Sequence, residues 1–411
     1  MDTAVRPRPP YPTAARLGVI EPFHAMALFR RAVALEAAGA PVIHMSLGEP
    51  DFGAPPPVTA ALDAAVKAGL TGYTPACGIT PLREAIAAHY ARVHGVEVAP
   101  ERIVVTAGAT GALQLACALL LDVGSEVLMP DPTYPCNRHI VSAFNATTKL
   151  IPTGPQQRFQ LTAADIAAHW GERTRGAMLA SPSNPTGTTI EPAALAAVLD
   201  ALRARSGFLV FDEIYNELTY AGLQASAPAG PAPALPAKPR TALALGDDVI
   251  VLNSFSKYFG MTGWRLGWLV VPPSLVADVE KLAMNLFICA PAPAQHAALA
   301  CFAPESIAIY EQRRAEFARR RDYIVPALRG LGLGVPTEPD GAFYVYADVS
   351  RFGLPSEQLA ERLLDEAQVC LVPGMDFGVH DADRWMRITY STSLERLHEA
   401  VARIGRFLNG L

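Results

Sequence analysis

Short apolar runs alternate with longer alanine-rich stretches through the first two-thirds of the chain. Ile103–Thr106, Glu126–Met129, Ala177–Ala180, Phe208–Phe211 and Val249–Asn253 have the pattern of strands buried on both faces. Helical spacing runs through Thr110–Leu121, Pro192–Arg205 and Pro273–Met284, and earlier through Phe23–Ala38, which ends at Gly39 and Pro41. Alternating strands and helices predict an α/β fold, a mostly parallel sheet flanked by helices. Ligands of such sheets bind outside the carboxyl ends of the strands. After about Pro291 the order changes. A charged helix through Tyr310–Arg329 leads to a strand at Ala342–Ala347, a helix at Ser356–Glu366, a short strand and a closing helix Leu394–Leu408.

A chain of 411 residues exceeds what one core usually holds. Three parts are expected: an N-terminal arm and helix (1–47) joining the small domain, a large ligand-binding domain (48–290) and a smaller α+β domain (291–411). The Ala/Pro-rich stretch 221–240 is expected to be a surface loop without catalytic meaning. The proline-containing N-terminus carries Arg6 and Arg8 but no apolar signal core, and reads as an arm.

Composition mainly excludes. A net charge of −5 gives no general attraction to nucleic acid or to anionic membranes. The apolar run at Ala112–Leu121 is too short to span a bilayer. The six cysteines are scattered, with no CxxC pair and no histidine grouping at zinc spacing, so reduced thiols in a cytoplasmic, metal-free protein are expected. HExxH, P-loop and GxSxG motifs are missing, and Gly330–Gly334 lacks dinucleotide-binding spacing and reads as a turn.

The most informative chemistry lies in Asn253–Arg265, where Lys257 sits among hydroxyls and apolar side chains with Ser254, Ser256 and Arg265 nearby. Desolvation favours a neutral amine that can attack a carbonyl, and serines with an arginine suit a phosphate. An imine-forming lysine beside a phosphate site suggests pyridoxal 5′-phosphate; a buried turn with a snorkelling lysine is the alternative. Gly108-Ala109-Thr110 opens a helix after a strand and either binds an anion through backbone N–H groups or simply turns the chain. Asp212 ends a strand, where it can cap the next helix or pair with a protonated ring nitrogen, with Tyr215 three residues on. Asn184 is held between two prolines and could donate to the same ring. Tyr134 could stack on a flat ligand, or be an ordinary half-buried tyrosine. Arg387 in an apolar run needs an anionic partner, either an internal carboxylate or that of a substrate.

In this order the residues resemble the class I/II, aspartate-aminotransferase-like aminotransferases of fold-type I. The resemblance runs from about Ile20 to the C-terminus and includes Gly48–Phe52, Gly72–Pro75, Ser181–Gly187, Asp212–Tyr215, Ser254–Arg265 and Arg387. It implies a seven-stranded sheet and a pyridoxal-phosphate enzyme that exchanges an amino group between an L-amino acid and a 2-oxo acid. Lys257 is then the Schiff-base lysine and proton carrier, and Asp212 the partner of the ring nitrogen. Asn184 and Tyr215 contact the ring oxygen, and Ala109, Thr110, Ser254 and Arg265 hold the phosphate. Tyr134 stacks, Arg387 with the backbone near Gly48 binds the substrate carboxylate, and Tyr73 reaches the neighbouring site of a homodimer. One departure is Gly108, where some members carry a serine hydroxyl. Related C–S lyases and aminocyclopropane-carboxylate synthases share the site but eliminate, and a non-catalytic regulatory module is a third reading. The side-chain specificity is not assigned; Arg16, Arg30 and Arg138 are candidate second cations, and the apolar residues around Ile20–Phe23 suit alanine, branched or aromatic substrates.

Overall fold

The computed structural model describes residues 11–220 and 241–411; the expected loop at 221–240 and the arm's residues 1–10 lie outside the described residues. Seven strands form one sheet in the order Ile103–Thr106, Gly267–Val270, Ile250–Ser254, Phe208–Asp212, Thr174–Ala180, Glu126–Asp131 and Thr147–Pro152. Gly267–Val270 runs antiparallel to both neighbours, and the remaining pairs are parallel.

Successive side chains along each strand enter different cores, as the period of two requires. Val105, Leu209, Phe211 and Val251 belong to the larger core. Their neighbours Val104, Val210 and Leu252 face the smaller one, together with Ala112, Leu115 and Ala116 of the helix Gly108–Leu120. Each fully buried Val, Leu or Phe contributes about 1.5–3 kcal/mol, which is why these strands are apolar throughout.

The pattern located five of these strands and missed two. Thr147–Pro152 is an edge strand whose first three residues are polar and in which only Ile151 is buried, so it lacks the apolar run. Gly267–Val270 begins two residues after Arg265 and reads as part of the preceding glycine-rich segment. The helices Pro56–Lys67, Thr80–His94 and Pro135–Ala143 were also not anticipated. The strand expected from Ala342 starts at Tyr344, because Ala342 has φ +54° and its N–H is bonded to Leu218 O at 2.9 Å.

A second, antiparallel sheet orders Val372–Pro373, Trp385–Thr389 and Tyr344–Asp348, with the helices Pro304–Gly330, Ser356–Ala367 and Leu394–Leu408 beside it. Ser393 caps the last helix by accepting the Arg396 N–H at 3.3 Å, and the helix buries Leu397, Ala400 and Ile404 on one face. Ile43–His44 pairs in parallel with Val369–Cys370, which ties the N-terminal segment to this unit. Asp376 accepts the N–H groups of His24 and Ala25 at 2.8 and 2.5 Å, fixing the start of the helix His24–Ala37. Among the described residues, no helix is long and apolar enough to cross a membrane.

Candidate active site

The carboxyl ends of the parallel strands and the inner edge of the smaller sheet enclose a cavity of about 300 Å³. Ala109, Thr110, Tyr134, Asn184, Asp212, Tyr215, Ser254, Lys257, Arg265, Gly48 and Arg387 all line it. Tyr73 does not; it is 85% exposed.

One end of the cavity is built for an anion. The helix Gly108–Leu120 points its N-terminus there, with no acidic residue in the first turn. Gly108 has φ +73°, and a Cβ on it would lie 2.5 Å from an Arg265 guanidinium nitrogen. Glycine therefore provides the space that brings the guanidinium against the helix start. Ser254 Oγ donates to Leu266 O at 3.1 Å and lies 2.9 Å from Ser256 Oγ. Thr262 donates to Ser256 O at 3.0 Å and accepts, through its carbonyl, an Arg265 N–H at 2.9 Å. Hydroxyls, free helical N–H groups and a guanidinium with no ion-pair partner among the described residues make a phosphate-type cradle.

At the centre, Lys257 Nζ donates to the Gly48 carbonyl and stands 5.8 Å from the centroid of the Tyr215 ring. Burial lowers its amine to about 8, Glu49 opposing and the Arg387 and Arg265 charges assisting. Burial likewise pushes Asp212 up to about 6, against the Ile214 N–H at 2.9 Å and the Lys257 charge. An amine and a carboxylate titrating on either side of neutrality are the groups needed to give and take a proton. The Tyr215 hydroxyl lies 2.6 Å from that of Tyr344, and burial raises Tyr215 well above its ordinary value.

Opposite Lys257, Arg387 is 2% exposed and lies 4.7 and 4.8 Å from the Tyr344 and Phe377 ring centroids. It donates to Asn184 Oδ1 at 3.0 Å and to the Ser46 carbonyl, while its Nε is buried with no partner. Among the described residues no carboxylate forms an ion pair with it. A buried guanidinium with an unfilled donor has the chemistry to accept an anion from outside the chain. The internal salt-bridge alternative for Arg387 is thereby removed.

The sequence profile of the aminotransferase class I and II family matches residues 40–404. The chain belongs to this family. A valine–pyruvate aminotransferase of Mycobacterium tuberculosis is 40% identical, over 96% of this chain and 98% of its own length. An aspartate aminotransferase of Pyrococcus horikoshii is 32% identical over 99% of this chain and 100% of its own. The crystal structure of an aminotransferase from Mycobacterium tuberculosis superposes with a TM-score of 0.90 at 39% identity, over 98% of this chain and 100% of that one. For the aspartate aminotransferase of Thermus thermophilus with maleate the TM-score is 0.87 at 30% identity, over 96% and 99%. The protein is thus an amino-group-transferring enzyme of the fold-type I architecture, and the elimination and regulatory readings give way to transfer.

In this aminotransferase the cavity lining includes the apolar side chains of Phe23, Met26, Phe29, Leu113 and Ile140. Tyr134 meets Phe23 edge-on at 6.4 Å. None of Arg16, Arg30 and Arg138 lines the cavity: Arg138 lies 3.6 Å from Glu21 and Arg16 bonds Asn145 at 3.3 Å. Neither Cys136, which lines the cavity, nor Tyr344, which is not in the lining but touches Arg387 and Tyr215, has a signal in the sequence. Tyr344 sits in Phe343-Tyr344-Val345-Tyr346, where every residue is buried and nothing in the sequence says which ring meets Arg387.

Proposed function

We propose that this aminotransferase uses pyridoxal 5′-phosphate held through Lys257, and that its amino-group donors carry apolar side chains. The observation carrying this reading is the placement of a buried amine between the Asp212 carboxylate, the anion cradle and the open Arg387 guanidinium. The residues fit the cofactor: a helix N-terminus crowded by Arg265 for the phosphate, an amine for the aldehyde and a buried carboxylate for the ring nitrogen. When bound, the cofactor supplies an electrophilic carbonyl and a cationic ring that can accept an electron pair.

Lys257, with its amine lowered to about 8, is neutral in about a tenth of the molecules at pH 7, far more than an ordinary lysine, and so can bind covalently and later accept and return the substrate's α-proton. Asp212 holds a proton on the ring nitrogen as an ion pair. Asn184 keeps its amide nitrogen as a donor because its oxygen is occupied by Arg387, and Tyr215 adds a hydroxyl donor to the same ring oxygen. Ala109, Thr110, Ser254 and Arg265 take the phosphate, and Tyr134 covers the ring. Arg387 grips the substrate carboxylate bidentately with help from the backbone at Gly48, which orients the α-carbon towards Lys257.

The apolar lining residues and, among the described residues, the lack of a fourth Lys or Arg in the cavity beyond Lys257, Arg265 and Arg387 support donors such as valine or alanine, with a 2-oxo acid as acceptor. The name of the Mycobacterium tuberculosis relative points the same way. The exposed Tyr73 supports a homodimer in which it reaches the second copy's phosphate. Six unpaired cysteines suit the cytoplasm. The division into 1–47, 48–290 and 291–411 is supported by the two sheets and by the pairing of Ile43–His44 with Val369–Cys370.

A single-turnover screen tests the proposal. Mixed with aliphatic amino acids, the cofactor-loaded enzyme is expected to convert its aldehyde chromophore to the amine form and release a 2-oxo acid without ammonia. Aspartate and glutamate should react at least about 10-fold more slowly, the discrimination that an unpaired buried charge imposes. Lys257→Ala should lower turnover by about 10⁴-fold or more. Undiminished turnover in that variant sinks the mechanism, and faster reaction with dicarboxylates sinks the substrate class alone.

A further inference from the structure

Away from the cavity, the C-terminal end of the helix Thr80–His94 meets the turn that follows the strand Phe208–Asp212. His89 and His94 from the helix and Glu217 from the turn face one another there, each side chain no more than 6% exposed. Their ligand atoms all lie within 4.8 Å of one another. Glu217 Oε1 is 3.1 Å from His89 Nε2 and 3.7 Å from His94 Nε2. Two atoms of the group, His94 Nε2 and Glu217 Oε2, are buried without any hydrogen-bond partner. Aromatic rings pack against it: Phe259 and Phe302 lie 5.9 and 5.4 Å from the His89 ring, and Tyr90 5.6 Å from that of His94. Buried lone pairs and donors left open in such surroundings each cost their full desolvation, so the group calls for an occupant.

We propose that His89, His94 and Glu217 bind a zinc ion. Two imidazole nitrogens and one carboxylate oxygen are the donor set of three-ligand zinc sites, with a water in the fourth position. Ligand atoms about 2.0–2.2 Å from a tetrahedral ion lie about 3.4 Å apart. The two observed carboxylate–imidazole separations, 3.1 and 3.7 Å, bracket that spacing. Closing the widest gap needs a small turn of the His94 ring, which is on the last residue of its helix, before Gly95 at φ +65°. Arg92 lies 3.3 Å from His89 Nδ1 and must swing away when that nitrogen carries the proton; Arg92 is exposed and free to do so. Glu213, nearby, stays outside the ligand set because it accepts the Ala242 N–H at 2.7 Å. The ion staples the helix Thr80–His94 to the turn that carries Tyr215 on from Asp212; none of its three ligands lines the cavity.

The histidines are five residues apart and Glu217 is more than a hundred further on, so the sequence has no zinc-type spacing to display. The test is metal analysis of the full-length, cofactor-loaded enzyme after incubation with excess zinc and gel filtration. About one zinc per chain is expected in the wild type, falling to background in His94→Gln and in Glu217→Gln, the second of which changes shape least. Zinc-edge X-ray absorption should show nitrogen and oxygen neighbours and no sulfur, excluding the six cysteines as its source. Zinc should also raise the thermal midpoint of the wild type by about 3 °C or more, but not that of Glu217→Gln. A wild type without bound zinc, equal zinc in wild type and both variants, or sulfur neighbours would each overturn the proposal.

Discussion

Two buried arginines in this enzyme have opposite environments. Arg314, in the helix Pro304–Gly330, is 3% exposed and donates to Glu311 through Nε at 2.9 Å and through a terminal nitrogen, and to Thr219 O at 2.9 Å. Glu311 in turn accepts the Tyr258 hydroxyl at 2.7 Å. The charge is matched inside the chain, and Glu311 is hydrogen-bonded from both sides. Arg387 is as deeply buried, yet it has two aromatic rings, two neutral acceptors and an idle Nε instead of a carboxylate. Burial alone therefore does not distinguish a structural ion from a binding one. What distinguishes them is whether the protein itself completes the coordination.

Matched substitutions break or sharpen this contrast. Arg387→Leu removes the proposed receptor for the substrate carboxylate and is expected to lower kcat/KM by about 10²–10³-fold, the equivalent of losing one buried charge-assisted pair. Its folding stability should stay within about 2 kcal/mol of the wild type, because no opposite charge is stranded. Arg314→Leu should do the reverse. It leaves the buried Glu311 without its cationic partner, so urea unfolding should show a loss of about 3–5 kcal/mol, while kcat/KM per folded molecule stays within about 3-fold of the wild type. Equal stability losses in the two variants would remove the distinction.

The same contrast explains what the sequence could and could not display. Thr110, Asn184, Asp212 and Lys257 were legible because each follows a buried strand whose apolar run is visible, and topology then brings strand ends together. Arg387 was legible as an anomaly, a charge within an apolar strand, but not its lack of an internal partner, since Glu and Asp residues elsewhere could have reached it. Tyr344 was hidden because its strand is buried on both faces. The engagement of Arg138 with Glu21, more than a hundred residues away in the chain, is a tertiary fact. So is the meeting of His89 with Glu217, 128 residues apart. Local periodicity carries no information about such pairings.

Lys257 and Asp212 extend the contrast from partners to protonation. The native carboxyl of Asp212, at about 6, lies above its ordinary value of 3.8, so between these values the folded chain binds more protons than the unfolded one. Stability of the cofactor-free protein therefore falls as pH rises through that window, and the cost persists at neutrality. Lys257, at about 8 against an ordinary 10.5, works the other way: the unfolded chain binds more protons between those values, and stability rises with pH there. Both groups thus weaken the empty fold near pH 7, as machinery held ready for a ligand does. Asp212→Asn should stabilise the cofactor-free chain at pH 7 by about 1–3 kcal/mol and flatten the decline below pH 6. Urea unfolding as a function of pH checks this, and a variant no more stable than the wild type would mean that Asp212 carries no such cost.

The smallest expected effect separates the two functions of Tyr344. Its ring lies 4.7 Å from the Arg387 guanidinium, and its hydroxyl 2.6 Å from that of Tyr215. Tyr344→Phe keeps the ring and removes the hydroxyl, so the carboxylate receptor survives and only the positioning of Tyr215 is loosened. One neutral hydrogen bond is worth about 0.5–1.5 kcal/mol, which corresponds to a fall in kcat of about 2- to 10-fold with KM for the amino acid unchanged. Tyr344→Leu also removes the cation–π face beneath Arg387 and should raise KM in addition. Were Tyr344→Phe to raise KM as much as Tyr344→Leu does, the hydroxyl would belong to the substrate receptor, and Arg387 would depend on a polar neighbour rather than on its two rings.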